Sequence, residues 1–422
     1  MEYLLLIFYL SLYFWLFPKI SFFKNTQLSS PQLRILLILK LLSGVLCAWY
    51  FRKTMILGDH VSINEIGKIH YNILLSNPKL FLTDFTGDIN RYGWGGLFDS
   101  SYSFWAYIRF NLLFKFVAIL NLITNGNFYF NSIIFSSIVF FGHIAFYRIF
   151  NSMYEGHRLK ILFICFFLPS VWLYTSCVHK DGFVFLGIAM ISFIFYKYLN
   201  NKLSIAPKSV LIFLLGIITI FLFRNYILVA LLPAMLIAIL CKAYPYKKKI
   251  IFIASYSVYS LFFFLTGFLN GFLNLPAGVV KRKADFALLG EGNTNIAMNN
   301  LYPTVKSFLI NLPQAINHTL FRPYLWEFAN PGVILTAIEL LFYQMIVLAF
   351  VFFRNKKTSV TNSFNLFGYA FFINMMLIIG YTIPNVGAIV RYRGLFWIFI
   401  LCPLICNTDW SKLNFLKARQ IN

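Results

Sequence analysis

Four short stretches of the chain combine ionisable residues in patterns that chemistry can use. In "LGDHVSINEIGKIHY", residues 57–71, two acids, Asp59 and Glu65, follow a glycine. A carboxylate there can take a proton from a sugar hydroxyl or hold a divalent ion such as Mg or Mn. His60 and His70 add imidazoles, but without HxH or HExxH spacing. A solvated loop start accounts for the same residues. In "DFTGDINRYGWGG", residues 84–96, Arg91 stands with Tyr92, Trp94 and two acids. Rings beside hydrogen-bonding groups suit a sugar, and equally suit a loop with aromatic membrane anchors. In "VHKDG", Lys180 can bind a phosphate and Asp181 can orient it. A polar turn ending in Asp181-Gly182 is the plainer reading. The fourth group is a set of arginines: Arg224 in "FLFRNY", Arg322 beside Glu327 in "FRPYLWEFANP", and Arg391 and Arg393 in "NVGAIVRYRG". Guanidinium groups bind phosphate oxygens bidentately, although an arginine near lipid also snorkels to headgroups. Arg391 and Arg393 project alike in extended chain and diverge in a helix.

These residues sit in an unusually apolar chain. Of 422 residues, 60% are hydrophobic and only 12% charged. A soluble domain carries about a quarter charged residues. Long apolar runs recur from end to end, which predicts an all-α, polytopic transmembrane helix bundle. The first run, "YLLLIFYLSLYFWLF", lacks a basic flank and a cleavage site and reads as a retained helix. The net charge of +23 is dispersed over short loops, a topology signal and not a nucleic-acid surface. The six cysteines have no zinc or disulfide spacing.

Eleven spans are expected, within a range of ten to twelve: 3–17, 35–51, 129–150, 161–178, 182–199, 209–222, 226–242, 250–270, 331–353, 364–384 and 394–407. With the N-terminus outside and the C-terminus inside, the inner segments carry nineteen basic residues against two acids, and the outer ones carry ten of the thirteen acids. Residues 107–123 are a further apolar segment, interrupted by Arg109 and Lys115, and read as an interfacial helix. The whole of 1–422 then forms one integral membrane domain. Its two large outer loops, 52–128 and 271–330, carry short interfacial helices. Any active site must be built from these loops lying on the bundle. The segment "KRKADFALLGEGNTN", 281–295, is basic on the side that disfavours basic residues and reads as a lid or an amphipathic stretch. Glu339 is the one acid well inside a span.

The order "GD", "LPSVWLYTSCVHKD", "FRPYLWEFANP", "NVGAIVRYRG" resembles bacterial inner-membrane proteins of cell-surface polysaccharide biosynthesis. The layout is similar to the GT-C class of glycosyltransferases, which use polyprenyl-phosphate-linked sugars. The resemblance implies an acid in the first large outer loop as the base, a role that falls by position on Asp59, with Glu65 next. It implies a polyprenyl-phosphate lipid carrier, its phosphate held by Arg391, Arg393 and Lys180, and a glycan or lipid acceptor. The chain has no close acidic pair of the DxD kind, and two spans precede the loop. Two other functions fit the same residues. A polymerase or ligase acting on undecaprenyl-pyrophosphate glycans relies on the arginines. A lipid-glycan flippase places polar groups near the bilayer midplane. The topology itself is testable: a thiol introduced by Asp59→Cys is expected to react with an impermeant maleimide from outside the cell. Reaction only after lysis would eliminate Asp59 as an outer-face base.

Overall fold

A computed structural model describes residues 2–54, 58–85, 93–96, 103–202, 206–288, 294–327, 331–355 and 360–412. Among them every regular element is helical, apart from two isolated β-bridges. In chain order the helices are α1 (Glu2–Leu16), α2 (Ser21–Lys24), α3 (Ser30–Thr54), α4 (Asp59–Ser76), α5 (Pro78–Thr83) and α6 (Phe104–Thr124). There follow α7 (Phe128–Met153), α8 (Arg158–Phe166), α9 (Pro169–Tyr174), α10 (Lys180–Leu199), α11 (Pro207–Arg224) and α12 (Tyr226–Ala243). The last six are α13 (Lys248–Leu265), α14 (Leu275–Ala287), α15 (Val305–Leu320), α16 (Pro331–Phe353), α17 (Ser363–Thr382) and α18 (Val386–Cys406). Ten helices among the described residues are long and apolar enough to cross a bilayer, and Tyr3–Lys19 is a shorter apolar one. The protein is a multi-pass, all-α membrane protein.

Three boundaries differ from the sequence expectation. The span expected at 161–178 is not one helix. α8 stops at Phe166, α9 runs only from Pro169 to Tyr174, and no helix follows until Lys180. Proline lacks the amide that would continue the ladder and pushes the residue before it out of the helical region. Second, α18 starts at Val386, eight residues before the expected 394, because the Asn385 side chain accepts from Ala388 N at 3.0 Å and caps it. The outer turn expected at 385–393 is therefore mostly helix. Third, Lys180 and Asp181 open α10 instead of forming a turn between two spans.

The helices group into two compact units, each discontinuous in sequence, so no point on the chain divides them. The first comprises Met1–Ile149, Val171–Lys197 and Leu203–Asn225. In it α4 and α6 pack so closely that a Cβ on Gly67 would lie 2.3 Å from Val117 Cγ1. A polar knot ties them to α7: Asn131 Nδ2 donates to Asn64 Oδ1 and Asn121 Oδ1, both at 2.8 Å, and Thr124 donates to Asn131 Oδ1 at 2.6 Å. α6 qualifies as a span by length and composition. Trp105 meets Phe221 of α11, Lys180 of α10 sits over Phe110, and Phe116 meets Phe183 of α10 and Phe135 of α7.

The second unit comprises Phe150–Ser170, Tyr198–Lys202 and Tyr226–Asn422. Here α15 crosses α17 near its end: Phe308 stacks edge-on with Tyr381, whose hydroxyl donates to Phe308 O at 2.8 Å. The segment before α15 pairs with the turn before α18 through Ile296 N to Pro384 O, 2.8 Å, and Val386 N to Thr294 O, 2.9 Å. α13 packs sparsely, and none of its residues is buried. The tightest approach is at Gly380, where a Cβ would lie 2.3 Å from the backbone oxygen of Ala315. Gly380→Ala must push α15 away and is expected to cost about 1–3 kcal/mol. A lower thermal midpoint of the purified protein checks this; an unchanged midpoint would contradict the close crossing.

Candidate functional site

The first unit brings Asp59, Asp181 and Arg224 together around a residue to which the sequence assigned no role, His179. Asp59 is the first residue of α4, after extended Gly58. Its Oδ2 lies 3.6 Å from His179 Nε2. On the other side of the ring, His179 Nδ1 lies 2.9 Å from Asp181 Oδ2 and accepts from the Asp181 amide at 3.3 Å. The other Asp181 oxygen accepts from Arg224 Nη2. Asp181 sits in the first turn of α10 and Arg224 in the last turn of α11. Each charge thus meets the helix end that favours it.

Exposure is graded along this string. The Asp59 side chain is 50% exposed, while His179 and Asp181 are fully buried and Arg224 nearly so. The formal charges of Asp59, Asp181 and Arg224 sum to −1. His60, next to Asp59, is buried, stacks on Phe51 at 4.0 Å and lies 4.5 Å from the His179 ring. The arrangement presents one solvent-facing carboxylate backed by an imidazole that is fixed from behind. A half-exposed carboxylate so placed can act as a general base. Removing one partner of a buried ion pair costs about 3–5 kcal/mol. Asp181 and Arg224, read from sequence as substrate-binding residues, spend their charge on each other.

The remaining sequence candidates are placed as follows. Glu65 lies further along α4, exposed, with both oxygens 3.0 Å from Lys68 Nζ. Lys180 is half-buried, its Nζ 4.6 Å from the Phe110 centroid. Arg91 lies outside the described residues. In the second unit Arg322 Nε is 3.4 Å from Glu327 Oε1, and Glu327 Oε2 accepts from Tyr324 N at 3.1 Å. Arg393 is buried and donates to the carbonyls of Thr319, at 2.8 Å, and Arg322. Arg391, two residues back along α18, donates to Tyr392 Oη at 3.2 Å. Arg322, Glu327 and Arg393 therefore come together, but as a brace between the end of α15 and α18.

Glu339 of α16 is buried and accepts from Ser170 N and Ser170 Oγ, both at 3.0 Å, and from the Tyr343 hydroxyl. It caps the start of α9. In the first unit, buried Lys40 donates to Thr175 Oγ1 at 2.9 Å, Ser176 Oγ at 2.8 Å and Trp172 O at 3.4 Å, holding the non-helical residues after α9. Among the described residues no group of three or more His, Cys, Asp or Glu could hold a metal ion. No family model, curated protein or solved structure matches this chain.

His318, on α15, is buried beside this brace. Burial first, and the Arg322 charge second, lower its pKa to about 4. The unfolded imidazole takes up its proton near 6.5, before the folded one does. Between those values the unfolded chain binds more protons, so stability falls as pH drops from about 6.5 to about 4. His318→Gln is expected to flatten that part of the profile of thermal midpoint against pH. Superimposable profiles would show that His318 is not held neutral.

Proposed function

We propose that this protein is a membrane glycosyltransferase. It would move a sugar from a polyprenyl-phosphate-linked donor to a glycan or lipid acceptor at the outer face of a bacterial inner membrane. The observation that carries the reading is the half-exposed Asp59 carboxylate, 3.6 Å from a buried imidazole that Asp181 and Arg224 fix in place. The site lies at helix ends: the first residue of α4, the first turn of α10 and the last turn of α11.

In this mechanism Asp59 takes the proton of the acceptor hydroxyl as its oxygen attacks the anomeric carbon. The bond from that carbon to the phosphate oxygen breaks, and the phosphate leaves with the electron pair. His179 stands 3.6 Å behind Asp59 and is itself held by Asp181 and Arg224. Arg224 acts through Asp181 and does not touch substrate.

The test uses membranes from cells expressing the protein and a radiolabelled polyprenyl-phosphate sugar. Asp59→Asn is expected to lower transfer by about 10²–10⁴. His179→Gln should cost less and shift the pH profile of the remaining activity. Both variants should still insert. Full activity in Asp59→Asn would sink the role of the carboxylate. Long repeating products in place of one added sugar would favour a polymerase, and donor crossing vesicles without a covalent product would favour a flippase.

A further inference from the structure

A pair of thiols in the first unit has no part in the Asp59 chemistry. Cys47 of α3 and Cys177, in the non-helical stretch between α9 and α10, are both free and fully buried. They share one apolar cluster with Ala48, Phe51 and Phe128. Each sulfur reaches the backbone of the other's segment. Cys47 Sγ donates to Leu173 O at 3.1 Å, four residues before Cys177. Cys177 Sγ lies 4.0 Å from Gly44 O, three residues before Cys47. These reciprocal contacts bring the thiols side by side, within hydrogen-bonding reach of one another. Lys40 precedes Cys47 by seven residues, two turns back on the same face of α3. Its ammonium donates to Trp172 O, Thr175 Oγ1 and Ser176 Oγ, all of them uncharged.

We propose that Cys47 and Cys177 are a modification site, joined as a disulfide by a small neutral peroxide, with Lys40 promoting the attack. An ammonium beside a thiol favours the thiolate, the form that attacks. Neutral oxygens leave the charge of Lys40 whole, and a neighbouring thiolate offsets it. In the first step a thiolate sulfur attacks one peroxide oxygen. The O–O bond breaks, and the departing hydroxide takes the proton that the thiol gave up and leaves as water. A sulfenic acid remains. In the second step the other sulfur attacks the sulfenic sulfur. The S–O bond breaks, and a second water leaves with the remaining thiol proton. Two thiols and one peroxide thus become a disulfide and two waters, and two electrons pass from the sulfurs to the peroxide. Hydrogen peroxide is small and uncharged, so it can reach sulfurs that burial closes to a protein oxidant. The bond ties the stretch before α10 to α3, two residues short of His179.

The test uses membranes that hold the full-length protein. They are treated with hydrogen peroxide and dissolved in detergent with N-ethylmaleimide, which blocks the remaining thiols. The digest is read by mass spectrometry without reduction. The expected product is a peptide joining Cys47 to Cys177 that dithiothreitol separates. Lys40→Met is expected to slow its formation about tenfold at neutral pH. Lys40→Gln, which can still donate to Thr175 and Ser176, stands in if the methionine variant does not accumulate. An unchanged rate in these variants would overturn the role of Lys40. No linked peptide, sulfinic acid on either residue in its place, or Cys177 joined instead to another cysteine would overturn the pair.

Discussion

A bilayer interior offers no hydrogen bonds, so every break in a helical backbone there must be satisfied by the protein itself. This chain breaks between α8 and α9 and again between α9 and α10. Two buried charged side chains answer those two gaps. Glu339 receives the amide and hydroxyl of Ser170, and Lys40 donates to Trp172 O, Thr175 and Ser176. An acid therefore stands at the amide end of α9 and a base at its carbonyl end, each where the dipole of a short helix favours it. The unwound residues 175–179 deliver His179 to a buried position that a continuous helix would not give it.

Buried charge has a similar logic. Asp181 and Arg224 are nearly sealed from solvent, and such a pair roughly balances desolvation against attraction. What the pair supplies is position: it sets the start of α10 against the end of α11 and fixes the far side of the His179 ring. Only Asp59 remains half in water. The gradient from solvent to interior along these four groups leaves one carboxylate accessible and three groups sealed behind it.

How far the sequence reveals this depends on the range of each interaction. Hydropathy is local, so most apolar runs could be located to within a few residues, and the crowding of basic residues at alternate ends follows from the same local signal. The break at Pro169 was not legible, because prolines at 233, 313 and 403 lie inside intact helices. What distinguishes Pro169 is Glu339, far away in sequence, which takes the freed Ser170 amide. Arg391 and Arg393 read as loop residues because charge argues against a span. Arg393 is tolerated within α18 because the carbonyls of Thr319 and Arg322 receive it. Asp59, Asp181 and Arg224 were recognisable as chemistry-bearing residues. Their union around His179 was not, since three separate segments supply it.

The sparse packing of α13 has a consequence outside the protein. With its flanking turns the apolar segment runs from Pro245 to Phe268, 24 residues, or roughly 36 Å along a helix axis. A hydrocarbon layer is about 30 Å thick. Tyr256, donating to Ala370 O at 2.9 Å and Asn374 Oδ1 at 3.0 Å, and Tyr259, donating to Val229 O at 3.4 Å, anchor one side of this helix to its neighbours. The surplus length over the hydrocarbon layer is then absorbed by a tilted helix or by a locally thicker bilayer.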